Sequence, residues 1–430
     1  MTSSGRQREF YRKTTLDNGL RIVTSRMNHV HSASISCLFG SGARHEPDEQ
    51  AGIAHFIEHM LFKGTERRPD PVMITMEIEE VGGIINAATG RESTNYWAKV
   101  PAAHLERAFN VLADVVRYST FPEHELEKER FVVIEEIRGV NDTPDDLVHD
   151  LVDELVWDGQ PVGRSILGTE LTIGGITSQD MCRFLRRYYT PDQLVIAAAG
   201  RVDHDWLVEL ADRAFGDMEP SGNGIVDQAT VLSDGPRVRL VNRLTEQAHL
   251  CIGHPAIAYT DPRRYTQAMI DSVLSSGMSS RLFQEIRERR GLVYAVYGYF
   301  RQYTDVGQGV VYAGTDLERV DETISAIISE LRKLRDQIVP EEELHRNKEL
   351  SKGRIVMGLE DSRAVASWIG GQELTFGEIK TPREVMNLID SVRADDMIDL
   401  AREIYSTEHL NLVLIGPYNN KDRFLSLLNL

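Results

Sequence analysis

Cysteine is scarce in this chain. Cys37, Cys182 and Cys251 are spread over 430 positions, and no C-x-x-C pair occurs. So small and dispersed a set excludes a disulfide framework and a thiolate zinc knuckle, and fits reduced thiols in a cytoplasm. Any metal site must therefore use His and carboxylate. Long apolar runs are also missing: nothing approaches the ~18 apolar residues that would cross a bilayer. The opening Met1-Thr2-Ser3-Ser4-Gly5-Arg6-Gln7-Arg8 has no apolar centre, so it does not read as a secretory signal, and it is short for a mitochondrial transit peptide. Positive charge is in deficit. Lys and Arg number 48 against 66 Asp and Glu, a net charge of −18. That argues against nucleic acid as a general partner and is compatible with basic peptides. The expectation is a cytoplasmic protein with neither a membrane nor a nucleic-acid partner.

What is present reads as a globular protein, at 41% hydrophobic and 27% charged residues. A chain of 430 residues exceeds the size at which one core stops growing, so two domains are expected. In the first half, Leu20 to Val23 reads as a strand after the turn residues Asp17-Asn18-Gly19, and Ala33 to Phe39 alternates as a half-buried strand should. Ile84 to Thr89 and Thr94 to Val100 read as two strands around Gly90-Arg91-Glu92, and Leu194 to Gly200 as a buried strand. Helical periodicity covers 102–118, 122–139, 145–157 and 178–189. Gly216, Pro220, Gly222, Gly224, Gly235 and Pro236 then interrupt any regular element. After them the order restarts, with strands expected over 237–242, 248–253, 294–302 and 307–315. Helices are expected over 279–289, 317–336, 340–355, 359–375 and 393–405. A closing strand, Leu410 to Gly416, resembles residues 194–200. The expected organisation is a first repeat at 1–218, a linker at 219–236 and a second repeat at 237–430.

One pentapeptide carries chemistry. His55-Phe56-Ile57-Glu58-His59 reads H-x-x-E-H, the inverse of the H-E-x-x-H zinc-protease pattern. On a helix, His55 and His59 lie one turn apart on one face and can hold one ion. Glu58 edges that face and can reach a water without being a ligand. The flanking Ala54, Ile57, Met60, Leu61 and Phe62 would bury the helix, and buried ionisable groups need a partner. A third ligand must come from elsewhere. The helix from Pro122 to Gly139 offers several carboxylates. Glu129 and Glu136 share a face with Val132, Val133 and Val140, whereas Glu135 shares one with Lys128 and Phe131. Helical phase thus favours Glu136 as ligand, with Glu129 beside it as a supporting carboxylate.

The chain is similar to the pitrilysin/insulinase family of zinc peptidases, in the short-chain branch that resembles mitochondrial processing peptidase. The resemblance rests on H-x-x-E-H followed, after 76 intervening residues, by Glu136 within Glu129-Arg130-Phe131-Val132-Val133-Ile134-Glu135-Glu136. It extends to Gly40-Ser41-Gly42-Ala43-Arg44, His59-Met60-Leu61-Phe62-Lys63-Gly64-Thr65, Asn86-Ala87 and Gly163-Arg164-Ser165-Ile166-Leu167-Gly168-Thr169, covering about residue 10 to 430. It implies two homologous α+β repeats, each a mainly antiparallel sheet packed with helices, forming a clam-like cavity. It also implies Zn²⁺ held by His55, His59 and Glu136, with Glu58 as general base. Peptide would bind along the edge strand carrying Asn86 and Ala87. In Arg287-Glu288-Arg289-Arg290-Gly291-Leu292-Val293-Tyr294, Arg287 and Tyr294 match the family's substrate-contacting Arg and Tyr. The implied activity is endopeptidase cleavage of extended or unfolded peptides, and the family admits a homodimer. Two alternatives stand beside it: the catalytic subunit of a hetero-oligomeric processing peptidase, and a non-catalytic binding or assembly subunit.

Overall fold

A computed structural model describes residues 10–222, 227–233 and 235–430. The opening octapeptide and Gly224 of the expected linker lie outside the described residues. Two sheets organise the rest. The first contains β1 (Arg12–Thr15), β2 (Arg21–Arg26), β3 (Ser32–Phe39), β4 (Ile84–Thr89), β5 (Thr94–Pro101) and β6 (Leu194–Gly200), in the order β1-β2-β6-β3-β5-β4. The second contains β7 (Arg237–Asn242), β8 (Ala248–Ala256), β9 (Val293–Gln302), β10 (Gly307–Thr315) and β11 (Asn411–Gly416), in the order β7-β11-β8-β10-β9. If β1 is set aside, the two sheets share one connectivity. The fifth strand pairs in parallel with the first, and all other neighbours are antiparallel. The repeat expected from the order of elements is therefore a repeat of topology.

The helices follow the same rhythm. After β3 come α1 (Ile53–Leu61) and α2 (Pro71–Glu79). After β5 come α3 (Leu105–Tyr118), α4 (Glu123–Asp142), α5 (Pro144–Trp157), α6 (Glu170–Gly175) and α7 (Ser178–Tyr188). After β6 comes α8 (His204–Phe215). In the second half α9 (Arg264–Ser275) follows β8. After β10 come α10 (Val320–Asp336), α11 (Glu341–Gly358), α12 (Ser362–Phe376), α13 (Pro382–Ser391) and α14 (Ala394–Ile404), and α15 (Lys421–Leu425) follows β11. β1, α6 and α15 are too short to stand out as periodic segments, and α13, though amphipathic, is not among the expected helices. The helix expected over 279–289 opens into a π-type turn at Phe283–Arg289, where the Arg290 N–H bonds back to Glu285.

The compact units differ from the contiguous halves expected from the sequence. Their membership alternates along the chain, changing after Glu136, Ser165, Val226, Ile355 and Thr381. As a result α5, encoded in the first half, packs on β8 and β11 of the second sheet, while α12, encoded in the second half, packs on β2, β3 and β6 of the first. Apolar side chains fix each cover. Val148, Val152 and Val156 of α5 join Cys251, Val310, Val413 and Ile415 in one core, and Ile369 of α12 joins Val23, Leu38, Val195 and Ala197 in the other. Glycine permits both close approaches. A Cβ on Gly253 would sit 2.6 Å from a Val152 methyl, and one on Gly370 would sit 2.7 Å from the Ala197 Cβ.

Candidate metal centre

α1 begins where Gly52 turns the chain at φ 93°. Gly52 offers no side chain to cap the free N–H groups of the first turn. Glu46 supplies the cap instead: its buried carboxylate accepts from the N–H groups of Gly52 at 2.7 Å and Ala54 at 2.8 Å. Ala54, Phe56, Ile57, Met60 and Leu61 are all buried, so the helix is fixed by packing on its apolar side. That leaves His55 and His59 on a common face, with Nε2 atoms 3.2 Å apart.

Glu136 closes a triangle. Its Oε2 lies 3.7 Å from the Nε2 of His55 and 3.7 Å from that of His59. Among the described residues this is the one group of three His, Cys, Asp or Glu side chains whose donor atoms gather so closely, all within 4.8 Å. A point in the plane of those three atoms and equidistant from them lies about 2.1 Å from each, the length of a Zn–N or Zn–O bond. Two imidazoles and one carboxylate also make a donor set that leaves a fourth position open for water or substrate. The residues therefore fit a zinc ion. Glu136 departs from the sequence expectation in one respect. It is not on a buried face: its side chain is 44% exposed, and neighbouring Val132 is exposed as well. The buried carboxylate of that face is Glu129.

The electrostatics separate the two imidazoles. Burial, with help from the charge of His59, pushes His55 down to about 4, so its lone pair is free for a ligand at neutral pH. Its Nδ1 is buried and has no hydrogen-bond partner among the described residues. His59 moves the other way. Burial opposes its charge, but the hydrogen bond to Glu129 and the charges of Glu129, Glu136 and Glu58 outweigh it and raise its pKa. The Nδ1 of His59 lies 2.8 Å from Glu129 Oε1, and Lys63 Nζ lies 2.7 Å from Glu129 Oε2. Those contacts hold Glu129 below the usual carboxylate range despite its burial. Glu58 is raised by burial, against the hydrogen bond it accepts from the Thr89 hydroxyl at 2.5 Å.

β4 is the far edge of the first sheet, and among the described residues it pairs only with β5. Asn86 is exposed and Ala87 half-buried on it, and the Ala87 N–H donates to Asn86 Oδ1 at 2.8 Å. Arg287 and Tyr294 lie together in the second unit. The Arg287 guanidinium sits 4.9 Å from the centre of the Phe283 ring and 5.2 Å from that of the solvent-exposed Tyr294. Three residues of the metal region escaped the sequence reading: Glu46, Lys63 and Thr89. Lys63 stood inside a quoted motif without a role, and Thr89 ended an expected strand. Nothing in spacing alone marks Glu46 as a helix cap six residues upstream.

Two family models match consecutive stretches of the chain. The model for insulinase (peptidase family M16) matches residues 21–170, and that described as the peptidase M16 inactive domain matches residues 175–351. The chain belongs to the insulinase family. An uncharacterized zinc protease of Bacillus subtilis is 37% identical over 409 residues, covering 95% of this chain and 99% of its own length. One from Streptomyces coelicolor is 38% identical over 417 residues, covering 95% and 90%. Among solved structures, a protease from Helicobacter pylori shares the fold at a TM-score of 0.88 and 22% identity, covering 95% of this chain and 99% of its own. No helix among the described residues is long and apolar enough to cross a membrane.

Proposed function

We propose that this insulinase-family protein is a zinc-dependent endopeptidase acting on extended or unfolded peptides. The observation that carries the proposal is the His55–His59–Glu136 triangle beside a half-buried Glu58. His55, His59 and Glu136 would hold the ion. When bound, zinc supplies Lewis acidity, polarising the scissile carbonyl and lowering the pKa of water. Glu58 takes the proton of the attacking water and returns it to the leaving amine. Burial raises the pKa of Glu58 above the usual carboxylate value, and the Thr89 hydroxyl fixes its direction. Relatives named zinc proteases support this choice of ion.

The substrate would enter as a strand added to the open edge of β4, through main-chain hydrogen bonds near Asn86 and Ala87. Such binding reads backbone rather than side chains, which suits extended peptides of varied sequence. Arg287 and Tyr294 would act as donors to a substrate carbonyl. Purified protein assayed alone on a fluorescence-quenched peptide tests the reading. Turnover should stop with a chelator and return with zinc. Turnover that survives complete removal of metal would sink it. Turnover that needs a second chain would favour the hetero-oligomeric alternative.

A further inference from the structure

The two histidines of the triangle are held in different ways. Behind its Nε2, His55 is held by packing: its Nδ1 is buried and has no hydrogen-bond partner among the described residues. His59 is held by a chain of contacts that runs from its Nδ1 to Glu129 and on to Lys63. Both carboxylate oxygens of Glu129 are engaged, Oε1 by His59 and Oε2 by Lys63. The backbone holds this arrangement in place. Just past Lys63, the Gly64 carbonyl accepts the Thr120 N–H at 3.2 Å, and the Glu66 N–H donates to the Tyr118 carbonyl at 3.2 Å. Residues 118–120 lead directly into α4, which carries both Glu129 and Glu136. Gly64 makes the turn at φ 134°, where a Cβ would press within 2.9 Å of the Pro69 carbonyl oxygen. The loop bearing Lys63 and the helix bearing Glu129 are thereby tied at their roots.

We infer that Lys63 is a positioning residue for the metal centre: it holds Glu129 so that Glu129 fixes the proton on Nδ1 of His59 and points Nε2 at the ion. The inference rests on the metal-site reading above. The sign of the effect separates two roles for the lysine. A lysine near a divalent cation repels it, so if Lys63 acted only through its charge, its removal would tighten metal binding. If Lys63 acts by fixing Glu129, its removal frees a long carboxylate and loosens His59. Partners behind a ligand histidine change metal affinity by about 10–100-fold when lost. Lys63 stands one contact further out, so the expected effect lies near the low end, about 10-fold.

The test is competition for zinc between the folded protein and a chromophoric chelator, with melting temperatures taken on the same samples. Lys63→Met should bind zinc about 10-fold more weakly than wild type. Lys63→Arg, which keeps charge and donors, should recover most of that loss. Unchanged or tighter binding in Lys63→Met overturns the inference, as does Lys63→Arg binding no better than Lys63→Met. If the Met variant folds poorly, Lys63→Gln tests the same link with an expected loss of the same sign. Wild type that binds no zinc would instead refute the metal-site reading itself, so the two failures are distinguishable.

Discussion

The helix pair α1–α4 in the first unit and the pair α9–α11 in the second stand at matching points of one connectivity. α1 follows β3 as α9 follows β8, and α4 follows α3 as α11 follows α10. Their contacts differ in kind. Between α1 and α4 lie two imidazoles and two carboxylates, with one buried ring nitrogen that has no hydrogen-bond partner among the described residues. Between α9 and α11 lies a neutral pair, the Ser272 hydroxyl donating to Asn347 Oδ1 at 2.9 Å with both residues buried, and near it one carboxyl, Asp271, under the charge of Arg354. Buried polar groups need partners, and Ser272 and Asn347 find theirs in each other. The first unit gathers the donor atoms of His55, His59 and Glu136 within 4.8 Å of one another, an arrangement that an ion would complete. The same fold thus supports a closed polar contact or an open one, and the proposed metal belongs to the open one.

The largest effect should come from the base of the open contact. Glu58→Gln should lower turnover about 10²–10⁴-fold, the range for losing a general acid–base group, while zinc content stays at the wild-type level. Retained turnover would remove Glu58 from the mechanism. Zinc lost together with activity would show that the substitution broke the site rather than the chemistry.

Next comes the ion. A ligand that binds only the folded state, present at about 1,000 times its dissociation constant, stabilises by about 4 kcal/mol. Amide hydrogen exchange measured with and without a chelator should show this loss in α1 and α4, and little change in α9 and α11. Equal loss in both helix pairs would break the comparison.

Much of this contrast was legible in the sequence. His55, Glu58 and His59 stand out because their spacing matches a helical turn, and the family resemblance, with its 76-residue interval, pointed to Glu136. Strand patterning located most strands close to their observed ends. The exceptions are β1, which was missed, and β2 and β8, which each run three residues further. What stayed hidden depends on contacts that spacing does not encode. The exchange of α5 and α12 between sheets cannot be read from a repeat, because a repeat says what recurs and not which sheet each helix covers. The exposure of Glu136 and Val132 contradicted the phase argument because one side of α4 lies open. Lys63 and Glu46 act from loops, and loops carry no period.

The smallest predicted effect sharpens the comparison from the second unit. Asp271 on α9 is raised to about 6 by burial, against a hydrogen bond from Ser275, whose hydroxyl lies 2.9 Å from Oδ1, and the charge of Arg354 on α11. Buried Tyr405, which feels the charge of Asp271, is neutral and offers no compensating charge. A carboxyl whose folded pKa is raised binds its proton more tightly in the native state. Its contribution to stability is therefore complete below the unfolded value, near pH 4, and is lost as pH rises through about 6. A rise from 3.8 to about 6 corresponds to about 3 kcal/mol for a dry site, and partial exposure brings the expectation to about 1–2 kcal/mol. Asp271→Asn should accordingly match wild type near pH 4 and exceed its stability by about 1–2 kcal/mol at about pH 8, measured by denaturant unfolding at both pH values. If the variant gains nothing at the higher pH, the α9–α11 contact already solvates or pairs that charge, and the second unit is as tolerant of a buried carboxylate as the first.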